Sequence, residues 1–126
     1  MVTRGPTTKD AGNAAEAQAL TLLLGHGLQL VRRNYLVARG PRSRGGEIDL
    51  ILRDRDGTLV FVEVRCRARN SHGGAAASIG AAKQQRIVFA ARHYLQGLIS
   101  LPPCRFDVVA IDGERIDWLR GAFDAA

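Results

Sequence analysis

Asp49 and Glu63 are the residues of this 126-residue chain whose types and spacing bear most directly on chemistry. Each lies in a stretch that alternates apolar and polar residues, Glu47 to Arg53 and Thr58 to Cys66, and the two stretches flank Asp56-Gly57. Alternation of this length marks β-strands, and a short Gly-containing connection marks a hairpin. A three-residue loop, Arg55-Asp56-Gly57 with Gly57 left-handed, pairs Asp54 with Thr58. Counting back sets Asp49 opposite Glu63 and Glu47 opposite Arg65. A two-residue loop would set Asp49 opposite Val64 and separate the acids, because one step of register turns every side chain to the other face. Two carboxylates directly across a hairpin repel each other. A hard divalent cation relieves that repulsion, and Mg²⁺ takes one or two carboxylates together with waters and phosphate oxygens. Neutralisation by neighbouring arginines, such as Arg65 against Glu47, is the competing reading.

The elements that must position these acids follow from pattern. Asp10 or Thr8 caps a first helix that runs to about Leu24, where Gly25 and Gly27 stop it. Its expected buried stripe is Leu20, Leu23 and Leu24, and Glu16 lies on that stripe one turn earlier. Leu28 to Leu36 reads as a first strand with Leu28, Leu30 and Val31 as its inward candidates. In the hairpin, Ile48, Leu50 and Leu52 share one face, and Glu47, Asp49 and Ile51 the other. On its partner strand Val60, Val62 and Val64 oppose Leu59, Phe61, Glu63 and Arg65. Ser78 caps a second helix to about Gln96, whose stripe of Ile79, Ile87, Ala90 and Tyr94 also contains Lys83. The simplest reading of Lys83 is an aliphatic stem on the core with its ammonium in water. Arg105 to Ile111 is a further strand and Arg115 to Leu119 a short final one. A strand, helix and strand in one sheet imply a right-handed parallel crossover, so the sheet is expected to be mixed. Asp107 is expected to pair with an arginine, His72 to sit on a surface loop, and Trp118 and Phe123 to join the core.

Composition limits the partners. With 46% hydrophobic residues the chain suffices for one domain with its own core, residues 9–126, behind a loose tail at 1–8. Only Cys66 and Cys104 are cysteines, and no basic start leads into an apolar run with a cleavage site, so a cytoplasmic location is expected. The longest apolar stretch, Ala17 to Val31, is interrupted by His26 and two glycines, so no membrane span is expected. The net charge is +6, and Arg32 to Arg69 hold ten arginines against five carboxylates. Such a cluster suits a polyanion, nucleic acid above all, with Arg39, Arg42, Arg44, Arg67 and Arg69 in two basic loops as its contacts.

The segments Gly46-Glu47-Ile48-Asp49-Leu50-Ile51 and Phe61-Val62-Glu63-Val64-Arg65-Cys66-Arg67 resemble the bacterial uncharacterised family UPF0102, the YraN-like proteins. Ala15-Glu16, Lys83 and Arg105-Phe106-Asp107-Val108-Val109 extend the likeness from about Gly12 to Phe123. That family is similar in turn to the restriction-endonuclease-like superfamily with its D…(D/E)xK signature, archaeal Holliday-junction resolvases among its nearer relatives. The resemblance implies an α/β fold with a restriction-endonuclease-like core, a mixed sheet of four to five strands flanked by two helices in the order αβββαβ. It also implies a metal set of Asp49, Glu63 and Glu16 for Mg²⁺ or Mn²⁺, and a catalytic group of Glu16, Asp49, Glu63, Arg65 and Lys83. Arg65 falls where the superfamily pattern has lysine. Its guanidinium stays protonated and can position groups or offset negative charge, but cannot serve as a base. Lys83 is then a candidate for the cation the strand lacks. The expected function is a divalent-metal-dependent nuclease on DNA, branched or damaged structures included. The alternatives are a non-catalytic nucleic-acid-binding module on the same fold, and a dimerising interaction protein whose acids only form ion pairs; a homodimer is left open.

Overall fold

The computed structural model describes residues 8–41, 45–66 and 79–125. Arg42, Arg44, Arg67, Arg69, His72 and Ser78 lie outside the described residues, as does most of the expected tail. The chain runs α1 (Thr8–Gly25), β1 (Gln29–Val37), β2 (Gly46–Arg53), β3 (Leu59–Cys66), α2 (Ala81–Gln96), β4 (Cys104–Asp112) and β5 (Arg115–Phe123). The five strands form one mixed sheet in sequence order, with β3 and β4 parallel and every other neighbouring pair antiparallel. The α2 crossover is what makes β4 parallel to β3. No described helix is long and apolar enough to cross a membrane.

Alternation along β3 divides the core between the two helices. Val60 and Val62 pack with Leu50, Leu52 and the α1 residues Ala15, Ala19 and Leu23. Leu59 and Phe61 pack with Ile51, Phe106 and the α2 residues Ile87, Val88, Ala90 and Ala91. Both faces of the central strand are therefore covered, and Leu59 to Glu63 are all buried. Each fully buried large apolar side chain stabilises the fold by about 1.5–3 kcal/mol relative to exposure. The hairpin register is that of the three-residue loop: Asp54 donates its N–H to the Thr58 carbonyl, and Gly57 has φ +89.

Several expectations are corrected. On α1 the buried stripe is Ala15, Ala19 and Leu23, with Leu20 packed against it, while Leu24 is exposed; the small Ala15 and Ala19 let the helix lie close to the sheet. Asp10 lies inside α1, whose described range starts at Thr8. The start of α2 is Ala81, with Gly80 at the cap position and no side-chain cap bond. Leu30 and Val31 are exposed, and the buried side chain of β1 is Tyr35. A register shift between Leu30 and Arg32, and a left-handed Asn34 at φ +52, turn this edge strand so that Tyr35 enters the α2 side. The same region breaks the alternation of β2. Ile48 joins Ile51 on the α2 side, opposite Leu50 and Leu52, so the change of face falls at Asp49.

Gly46 fixes how close α2 comes. A Cβ there would stand 2.3 Å from the Arg86 carbonyl oxygen and 2.9 Å from the Ala90 Cβ. The helix thus rests directly on the start of β2 and brings its first turn beside Glu47.

Candidate active site

The β2–β3 ladder ends at the pair Leu50 and Val62. One residue further, in the same register, the strands reach Asp49 and Glu63. Asp49 Oδ2 accepts the Val64 N–H at 2.8 Å, so a side-chain oxygen satisfies the first donor beyond the ladder. Glu63 follows the α2-side residues Leu59 and Phe61 along β3 and is only 6% exposed. Glu16, one residue beyond the buried Ala15, comes from α1 and acts electrostatically on Asp49.

Lys83 does not send its ammonium to water. The Nζ atom lies 2.8 Å from Glu47 Oε1 and 3.7 Å from Glu63 Oε1, and the side chain is 19% exposed. Lys83 is thus hydrogen-bonded to Glu47 across 36 residues of sequence. Arg65 is half-buried and contributes attractive charge to Glu63.

Burial pushes the Asp49 carboxyl up to about 6; the Val64 N–H opposes that rise, the Glu16 charge adds to it, and Lys83 opposes it. Burial likewise pushes Glu63 up to about 7, with the Asp49 charge adding and Lys83 and Arg65 opposing. Glu47 moves the other way, because the Lys83 hydrogen bond holds its carboxyl below the usual range.

Two oxygens of this group, Glu16 Oε2 and Glu63 Oε2, are buried without a hydrogen-bond partner. Leaving a buried acceptor unsatisfied costs about 1–3 kcal/mol, more when it is charged. Among the described residues no three His, Cys, Asp or Glu side chains are grouped so that they could hold a metal ion together. A hard divalent cation such as Mg²⁺ or Mn²⁺ needs only one or two carboxylates and completes its shell with water and phosphate oxygens, which the chemistry of Asp49 and Glu63 allows.

Arg39 is exposed, with its guanidinium 4.8 Å from the Phe89 ring centroid. With Gln84, Gln85 and Arg92 it lines a cleft of about 450 Å³ along α2. Asp107, in register with Val62 across the β3–β4 pair, makes its own set of contacts. It is 1% exposed and accepts from Arg105 Nε at 3.1 Å, Trp118 Nε1 at 2.9 Å and the Gly121 N–H at 3.0 Å. Arg105 also reaches Asp54 at 2.9 Å. Asp107 therefore joins β4 to the irregular part of β5. Trp118 and Phe123 are partly buried, packing on the core from its margin.

The family model described as "Uncharacterised protein family UPF0102" matches residues 15–111. A UPF0102 protein of Methylibium petroleiphilum is 70% identical over 120 residues, covering 95% of this chain and 98% of its own. Another, from an Acidovorax species, is 63% identical over 95% of this chain and 89% of its own. A third, from Cupriavidus taiwanensis, is 55% identical over 98% of this chain and 89% of its own. Glu16, Glu47, Asp49, Glu63, Arg65 and Lys83 all fall within the matched region, and the chain belongs to the UPF0102 family.

Proposed function

We propose that the protein is a divalent-metal-dependent nuclease acting on DNA, built on a restriction-endonuclease-like core. The observation that carries this reading is the pair of buried, unpartnered carboxylate oxygens on Glu16 and Glu63, two acids that each interact electrostatically with Asp49. Asp49, Glu63 and Glu16 would hold Mg²⁺ or Mn²⁺, which when bound supplies a Lewis acid for the scissile phosphate and lowers the pKa of water. Arg65 and Lys83 offset the negative charge that develops on the phosphoryl oxygens during hydrolysis. Arg39, together with Arg42, Arg44, Arg67 and Arg69, takes backbone phosphates and sets the register of the duplex without reading sequence. Arg65 standing in the place of a lysine favours a second reading, a DNA-binding module that does not cleave.

Linear, flapped, four-way and lesion-containing DNAs incubated with Mg²⁺ or Mn²⁺ test the first reading, beside an Asp49→Asn control. Metal-dependent cleavage that the control lacks supports it. Salt-sensitive binding with no cleavage of any substrate transfers support to the second reading, and absence of binding at low salt removes both.

A further inference from the structure

Glu47 is roughly half exposed and could remain hydrated, yet it takes the Lys83 ammonium at 2.8 Å. The close rest of α2 on Gly46 makes this contact short-range, because it places the first turn of α2 beside the start of β2. At 3.7 Å from Glu63 the ammonium is an ion-pair neighbour but lies beyond ordinary hydrogen-bond length. Lysine is a compact charge on a flexible stem, so its position follows whichever carboxylate holds it. Without Glu47, the nearest carboxylate is Glu63, and an ammonium closing on Glu63 would act as a resident counter-ion where a divalent cation belongs.

We infer that Glu47 is a positioning residue: by holding Lys83 short of Glu63 it keeps the unpartnered Glu63 oxygen open to a divalent cation. The inference rests on the acid group being a cation site, as proposed above. Glu47 need not touch the metal or the substrate in this role. Its effect passes entirely through Lys83.

The sequence contains only two lysines, Lys9 and Lys83, so reductive ¹³C-methylation gives two readily distinguished side-chain signals. The metal-free test compares how far Glu63→Gln moves the Lys83 signal in wild-type protein and in Glu47→Gln protein. A clearly larger displacement in the Glu47→Gln protein, with Lys9 unmoved, is the expected result. Equal displacements would overturn the inference. A second arm measures Mn²⁺ affinity by electron paramagnetic resonance. Glu47→Gln should weaken Mn²⁺ binding about tenfold, as loss of an outer-shell partner does. In a Lys83→Met protein the same substitution should cost no more than about threefold, the effect of an exposed charge through solvent. Equal factors with and without Lys83 would count against the positioning role. If wild-type protein binds no Mn²⁺, the proposed metal chemistry fails, while the metal-free comparison still decides whether Glu47 positions Lys83.

Discussion

Asp49 Oδ2 holds the backbone N–H of Val64 at 2.8 Å, so the first acid of the site also closes the β2–β3 ladder. Asn in its place can keep that acceptor, whereas Ala cannot. Substitutions at Asp49 therefore mix two effects, relief of charge repulsion and loss of a hydrogen bond worth about 1 kcal/mol.

Mg²⁺ or Mn²⁺ should bind weakly in the absence of DNA, because few protein ligands are offered and no phosphate completes the shell. Asp49→Ala and Glu63→Ala should each abolish binding. In metal-free buffer Glu63→Ala is expected to hold or gain stability, while Asp49→Ala loses part of that gain with the Val64 bond. Calorimetric titration and thermal melting check both points, and equal metal binding by wild type and both variants would sink the metal site.

Stability without metal should fall as pH rises. The folded-state values of about 6 for Asp49 and about 7 for Glu63 lie above the ordinary 3.8 and 4.5, so the folded protein holds protons that the unfolded chain releases. That contribution is complete below about pH 4 and lost as pH climbs through about 7. Glu63→Gln should flatten the dependence, and Mg²⁺ should restore stability at the alkaline end. Melting curves across this range decide it; a pH dependence untouched by Glu63→Gln would remove Glu63 as its source.

DNA binding should be dominated by phosphate contacts and drop roughly 10- to 1,000-fold between about 50 and 200 mM salt. Replacing Arg42 and Arg44 together should flatten that slope with little change in melting temperature. Fluorescence anisotropy at graded salt measures the slope directly, and an unaltered slope would exclude this loop from the interface.

Arg65 separates a working nuclease from a binding module. Arg65→Lys should keep or raise cleavage, while Arg65→Ala should lower it about 10²- to 10³-fold, the usual loss for one well-placed transition-state donor. A folded Arg65→Ala protein that cleaves at the wild-type rate would take Arg65 out of the mechanism.

Asp107→Ala tests an acid given no part in metal binding. Removing it strips partners from Arg105, Trp118 and the Gly121 N–H at once. Breaking a buried pair of this kind costs about 3–5 kcal/mol. Denaturant unfolding should show that loss, whereas Mn²⁺ affinity of the folded variant should match wild type. A matching loss of metal binding would place Asp107 in the site after all.

Local chemistry made the hairpin legible: Gly57 fixes the turn, and the turn fixes the register as far as Leu50 and Val62, one residue short of Asp49 and Glu63. Glu16 was picked out by an apolar stripe that included the exposed Leu24, whereas the buried stripe runs through its neighbour Ala15. The Lys83–Glu47 pair was not legible, since 36 residues separate its members and their meeting depends on how closely α2 settles on Gly46. Nor was the inward turn of Tyr35. Periodicity assumes a regular strand, and β1 departs from one at Asn34. Leucines on α1 drew attention that belonged to Ala15 and Ala19, because close helix–sheet approach rewards small side chains that hydrophobicity alone ranks low.

The irregularity of β1 also bears on what the sheet does not recruit. An edge strand exposing Leu30, Val31 and Leu36 could template aggregation if it presented a flat, continuous row of free backbone groups. The shift after Leu30 and the left-handed Asn34 break that row into short pieces, and Arg32 and Arg33 place like charges where a second copy would have to lie. Apolar exposure along this edge is thereby kept from becoming a seam for fibre-like stacking.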